Sequence, residues 1–267
     1  MGGHRPPSNS SLCHVASNKR RCRGLVPVNL CDWTAIDLFY VLRVVARMRV
    51  VLASLLLIAA LPAQAQERPA AFVDATSVVP GLVVDMRYAG GDNFVGRPIE
   101  GYQKPVCLLT RQAANALADV ARDISGRGLK LKVFDCYRPK RAVAHFMRWA
   151  QAINDVKNKS AYYPDLDKRQ LFADGYIAAH SGHSRGSTLD LTFVGASGEL
   201  DMGTHFDFLS ARSNTSNPTV SVEAHRNRLM LAAAMSKHGF KPYGKEWWHF
   251  TLRGEPFPDT YFDFPVR

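Results

Sequence analysis

The chain has 267 residues, 46% of them apolar and 21% charged, an ordinary balance for a soluble globular protein with room for one sizeable core or two small ones. Its formal net charge of +11 is concentrated at one end: the first 65 residues carry eight of the 34 Lys and Arg but only two of the 23 Asp and Glu, which leaves the remainder at +5. No basic run interleaved with aromatics follows residue 66, so the composition argues against a nucleic-acid partner.

Residues 1–47 (MGGHRPPSNSSLCHVASNKRRCRG and onward) show no clear helical or strand period. The expectation is a mis-assigned start, with translation beginning at Met48, or a disordered extension; the alternative is a basic cytoplasmic tail ahead of a signal anchor. Cys13, Cys22 and Cys31 lie here at a nine-residue spacing that fits no zinc motif. Residues 48–65, MRVVLASLLLIAALPAQA, read as a signal peptide. Arg49 gives the positive start, Val50 to Leu61 the apolar run, and Ala63-Gln64-Ala65 the small-x-small cleavage site. The run is too short to span a bilayer, which takes about 20 residues. The expectation is an exported protein, periplasmic or secreted, that begins near Gln66 and keeps no stable membrane anchor. Only Cys107 and Cys136 then remain, and in an oxidising compartment they are expected to pair, two buried free thiols being the alternative.

After residue 66 there is no internal repeat and no low-complexity stretch, which suggests one domain. GLVVDMRY (81–88) reads as a strand and the glycine-rich 90–102 as a long loop. Thr110 caps a helix whose apolar face is Leu117, Val120, Ala121 and Ile124, stopped by Gly126 and Gly128. A strand over 129–135 follows. Pro139 opens a helix running to about Asn154, with Phe146, Trp149, Ala150 and Ile153 facing inward. Strands are expected at 187–194 and 247–252, and a helix at 222–238 ending at Gly239. Early helices, late paired strands and no regular alternation predict an α+β domain: a mainly antiparallel sheet flanked by helices, with a metal site on one sheet face.

That site is argued from SGHSRGSTLDLTF (181–193). Leu189, Leu191 and Phe193 share one face of a period-two strand, while Thr188, Asp190 and Thr192 share the other, away from the core side. A turn at Gly186 brings His183 over Asp190, giving half a zinc site. KEWWHF (245–250) offers the rest: His249 as third ligand, with Glu246 three residues earlier as a base beside a zinc-activated water. Arg138, held out of helical geometry by the following proline, stands between a strand end and a helix start, where a guanidinium can stabilise an oxyanion. Singly, each has a plainer reading: a surface ion pair for Arg138, a core histidine for His249, a solvated turn residue for Glu246. His180 is a poor ligand because HxxH in a loop has no fixed geometry. His145, His225 and His238 lie on predicted helices without a partner at i+4, and His205 is expected to be solvated.

SGHSRGSTLD resembles the S-x-H-x-x-G-x-A-x-D pattern, and EWWH the E-x-x-H pattern, of zinc D-alanyl-D-alanine peptidases. The likeness is closest to the D-alanyl-D-alanine dipeptidases, the VanX family. It extends through MRYAGGDNFVGRPIEGY, FDCYRPKRAV, AYYPDLD, MGTHFDF and EPFPDTYFDFPVR. The resemblance implies one zinc ion per chain held by His183, Asp190 and His249, Glu246 as general base and acid, and Arg138 on the transition state. It implies Ser181 and Tyr102 for the substrate carboxylate, Tyr88 and Asp207 for the end bearing the free amine, and a small closed pocket for a dipeptide. Thr188 departs from the pattern's alanine, and its hydroxyl is expected to bond Asp190 or tighten the pocket. Export is the second departure. A dipeptidase that depletes cytoplasmic precursor in glycopeptide resistance would stay inside, so cell-wall turnover or D-alanine salvage outside the cytoplasm is expected. The alternatives are a D,D-carboxypeptidase or endopeptidase on peptidoglycan stems, and a non-catalytic zinc-binding module. Oligomeric state is not legible.

Overall fold

The computed structural model describes residues 40–47 and 66–267, which fall in two units, Met1–Ala63 and Gln64–Arg267. In the first unit, residues 40–47 form an exposed helix, a correction to the reading of 1–47 as without helical period. YVLRVVAR mixes good helix formers, Leu, Arg and Ala, with valines. The expected signal peptide at 48–65 lies outside the described residues, as do Cys13, Cys22 and Cys31. Among the described residues no helix is long and apolar enough to cross a membrane.

The second unit is the expected α+β domain. Its main sheet runs β2 (Val83–Val84), β4 (Lys130–Asp135), β5 (Thr188–Gly195), β8 (Glu246–Leu252), β7 (Phe240–Tyr243), with β6 (Gly198–Glu199) hairpinned onto β5. Only β2 and β4 are parallel. A separate antiparallel pair joins β1 (Phe72–Asp74) to β3 (Leu108–Thr110). The predicted strand over 81–88 shrinks to β2, because Arg87–Ala89 turns into a 3-10 helix that carries Tyr88 inward.

Thr110 caps α1 (Arg111–Ser125) as expected, its hydroxyl accepting from the Ala113 N–H at 3.3 Å. Leu117, Val120 and Ile124 are buried from α1, and Leu231 and Met235 from α5 (Val222–Lys237). These two helices cover one sheet face, where Ile124, Phe193 and Met230 line a common cleft. The helix α2 (Lys140–Gln151) has Pro139 as its cap and stops at Gln151, so Ile153, expected inside, is 48% exposed. Two short helices, α3 (Lys159–Tyr162) and α4 (Lys168–Ala173), follow.

The second face of β5 is not turned to solvent. Thr188, Asp190 and Thr192 are all buried, a correction that makes β5 a strand covered on both sides. The chain's end returns to this region: Phe264 stacks on Tyr137 at 4.1 Å, and Val266 pairs with Tyr102.

Candidate active site

The loop before β5 is a 3-10 turn, Gly182–Arg185, ended by Gly186 at φ +81°. A Cβ at Gly186 would stand 2.1 Å from the Phe72 ring, so the sequence admits only glycine there. The turn delivers His183, which is 1% exposed, against the end of β4. Its Nδ1 lies 2.8 Å from the Cys136 carbonyl, which can only accept; this assigns the proton to Nδ1 and leaves the Nε2 lone pair facing the sheet.

On the sheet, Asp190 of β5 is paired in register with His249 of β8. His183 Nε2 lies 3.3 Å from Asp190 Oδ2 and 3.3 Å from His249 Nδ1, and His249 Nδ1 lies 3.1 Å from Asp190 Oδ1. Asp190 Oδ1 is buried without a hydrogen bond of acceptable geometry. A tetrahedral zinc with ligands at about 2.0–2.1 Å needs ligand atoms about 3.3 Å apart. The donor set, the spacing and the orphaned carboxylate oxygen therefore fit zinc. Burial alone would raise the Asp190 carboxyl, but His183 and His249 beside it hold it well below the usual carboxylate range.

Glu246 and Arg138 flank this group. Glu246 Oε2 is 3.6 Å from His249 Nδ1, and burial, followed by the Asp190 charge, pushes its carboxyl up to about 7. A carboxyl in that range exchanges protons near neutrality. Arg138 Nη2 is 3.7 Å from Asp190 Oδ2, with its guanidinium over the Tyr88 and Phe146 rings at 5.0 and 5.2 Å. Sequence reasoning missed the residue that aims it: Asp135, fully buried at the end of β4, accepts from Arg138 Nε at 2.9 Å and lies 2.9 Å from Nη2. The signal was present as a carboxylate closing the apolar run KLKVFD three residues before Arg138.

Tyr88 donates its phenol to Asp207 Oδ2 at 2.8 Å, and both line the cavity. Burial, then the neighbouring Asp190, push the Asp207 carboxyl well above its ordinary range. Ser181 lines the cavity as well. Tyr102 does not: it is buried and gives its phenol proton to Asp135 Oδ1 at 2.6 Å, which places it in the packing around Asp135. Thr188 is a correction. Its hydroxyl pairs with that of Thr251 at 2.9 Å rather than with Asp190, and it lies outside the cavity lining. His180 is exposed at the rim, 5.1 Å from the Tyr261 ring, and His205 is exposed but held by the carbonyls of Phe206 and Ala161.

The cavity measures about 170 Å³. Tyr176 and Ile177, from the segment before the His183 turn, and Trp248, from β8, also line it, none of them singled out by the sequence. Drug-sized ligands occupy pockets of about 300–1,000 Å³, so this one suits a smaller molecule. Cys107 and Cys136 are bridged, which ties β3 to the end of β4 beside Arg138.

A family profile described as D-ala-D-ala dipeptidase matches residues 68–267. A D-alanyl-D-alanine dipeptidase of Enterococcus faecium is 41% identical over 192 residues, 71% of this chain and 95% of that protein. One from Enterococcus faecalis is 40% identical over 197 residues, covering 73% and 98%. One from Streptomyces coelicolor is 41% identical over 198 residues, covering 73% and 97%.

Proposed function

The chain belongs to the D-ala-D-ala dipeptidase family, and from that premise we propose that it hydrolyses D-Ala-D-Ala to two molecules of D-alanine with one zinc ion held by His183, Asp190 and His249. The observation that carries the reading is the set of three ligand atoms 3.1–3.3 Å apart, with a carboxyl on one side and a guanidinium on the other. Zinc, when bound, supplies Lewis-acid polarisation of the peptide carbonyl and makes a water more acidic.

The chain's residues do the rest. Glu246 takes the proton of the attacking water and passes it to the leaving amine, two transfers by one carboxyl beside the metal ligands. Arg138, aimed by Asp135, donates to the oxyanion that develops on the scissile carbonyl. Asp207 and Tyr88 receive the substrate ammonium, and Ser181 its carboxylate. A pocket that recognises both charged ends of a small molecule favours a free dipeptide over a peptidoglycan stem.

The activity belongs outside the cytoplasm, in wall turnover or D-alanine salvage. Support comes from the signal-like 48–65 and from a bridged cysteine pair, which persists in oxidising compartments.

The test is hydrolysis of D-Ala-D-Ala, L-Ala-L-Ala and N-acetyl-D-Ala-D-Ala by the zinc-loaded protein, with Glu246→Ala alongside. Cleavage of the free D,D-dipeptide alone is expected, lost by about 10²–10⁴-fold in the variant while zinc remains bound at one per chain. Cleavage of the acetylated substrate would move the function to stem peptides. A folded, zinc-bound protein that cleaves none of the three would be a binding module.

A further inference from the structure

Arg228 is the largest charged side chain in the interior: it is 0% exposed on α5, and no carboxylate lies within ion-pair distance of it among the described residues. Burial lowers its pKa to about 10, which leaves it charged at neutral pH. A buried cation without a counter-ion is costly unless its donors are well used. All of its bonds go to one loop. Nε donates to the Met202 carbonyl at 2.7 Å and Nη2 reaches the Thr204 hydroxyl at 3.4 Å, both on the arm entering the loop. Nη1 donates to the Arg212 and Asn214 carbonyls at 2.9 and 2.7 Å, on the arm leaving it.

Between those arms stands Asp207. It is the one described non-glycine residue in the left-handed region, at φ +59°, a conformation that persists when its surroundings over-determine it. Thr204 ties the same loop to the catalytic strand, since its hydroxyl accepts from Trp247 Nε1 at 2.9 Å and Trp247 follows Glu246.

We infer that Arg228 is a positioning residue for substrate selection. By clasping both arms of the 202–214 loop it fixes the Asp207 carboxyl where a free amino terminus must dock, and so sets the preference for an unacylated dipeptide. The inference rests on the reading of Asp207 as the amine contact. A planar guanidinium with a rigid fork of donors spans both arms; an ammonium keeps the charge but cannot.

The test compares zinc-loaded wild type, Arg228→Lys, Arg228→Gln and Asp207→Asn. For both Arg228 variants the KM for D-Ala-D-Ala is expected to rise about tenfold or more with kcat changed less than about threefold, the pattern of lost binding rather than lost chemistry. Inhibition by acetohydroxamate, which reaches the metal side and carries no amine, stays unchanged, a separation that general loosening of the fold would not give. An unchanged KM in folded Arg228→Lys, with a raised KM in Asp207→Asn, overturns the role of Arg228 alone. An unchanged KM in Asp207→Asn removes the amine contact itself and the inference with it. If neither Arg228 variant folds, Thr204→Val is read against Trp247→Phe: the first removes one of the two clasp contacts on the entering arm, the Met202 bond remaining, together with the Trp247 bond, and the second removes the Trp247 bond alone. A KM raised in Thr204→Val beyond that of Trp247→Phe supports the inference, and an equal KM in the two ends it.

Discussion

Asp135 divides its carboxylate, Oδ1 accepting from Tyr102 and Oδ2 from Arg138. The Arg138 guanidinium is therefore already oriented at the cavity wall, pinned from behind and lying over two rings. Asp135→Asn keeps the volume but removes the charge and one acceptor. The expected result is a fall in kcat of about 10–100-fold, the usual cost of losing a partner that orients an active group, with zinc content by elemental analysis unchanged. Loss of zinc instead would mean that Asp135, whose Oδ2 is 3.4 Å from His183 Nδ1, serves the metal side. That His183, Asp190 and His249 meet was legible because a turn and two strands have fixed periods: Asp190 and His249 sit in register, and Gly186 forces the turn that brings in His183. Asp135 was not, since its meaning lies in Tyr102, 33 residues away, and in an arginine across a strand end. The bond from Tyr102 to Asp135 was hidden for the same reason, because a motif position says nothing about which way a phenol points.

Among the elements, α1 was legible down to its cap, since Thr110 and the Leu117, Val120 and Ile124 stripe are local signals. The end of α2 was not. Its apolar spacing runs on to Ile153, yet the helix stops at Gln151: Ala152 leaves helical geometry at ψ 78°, and Lys168, from α4, inserts its ammonium between the Trp149 and Ala152 carbonyls at 2.7 Å each. That side chain is 3% exposed and lies 4.0 Å over the Trp149 ring. A cation at a helix C-terminus adds charge-assisted bonds to carbonyls that here also accept from the Ala152 and Asp155 N–H groups, and it comes from outside the helix, beyond the reach of any local pattern. Lys168→Met keeps the apolar stem and removes the donors. It is expected to lower stability by about 1.5–3 kcal/mol, the net contribution of hydrogen bonds from a charged donor, read from the urea midpoint, while kcat on D-Ala-D-Ala stays within about twofold. A midpoint equal to wild type would show that water replaces the ammonium at no cost.

At the scale of the whole molecule, the bridge between Cys107 and Cys136 joins two consequences, one for stability and one for place. It closes a loop of 29 residues, for which chain entropy gives about 3–4 kcal/mol, and Cys136 also offers the carbonyl that orients His183. Reducing or replacing the pair should therefore cost stability by about that amount, read from denaturant midpoints with and without reductant. The count of cysteines then tests export. The chain has five, an odd number, of which three lie before residue 48 and two form the bridge. Removal of everything before Gln66 leaves no free thiol, whereas any form retaining all five has at least one that cannot pair within the chain. Protein isolated from the cell envelope, unfolded without reductant, is thus expected to titrate with no thiol and to begin near Gln66 on N-terminal sequencing. A free thiol together with an upstream N-terminus would keep the leading segment on the working protein and place the activity where D-Ala-D-Ala is made rather than where it is salvaged.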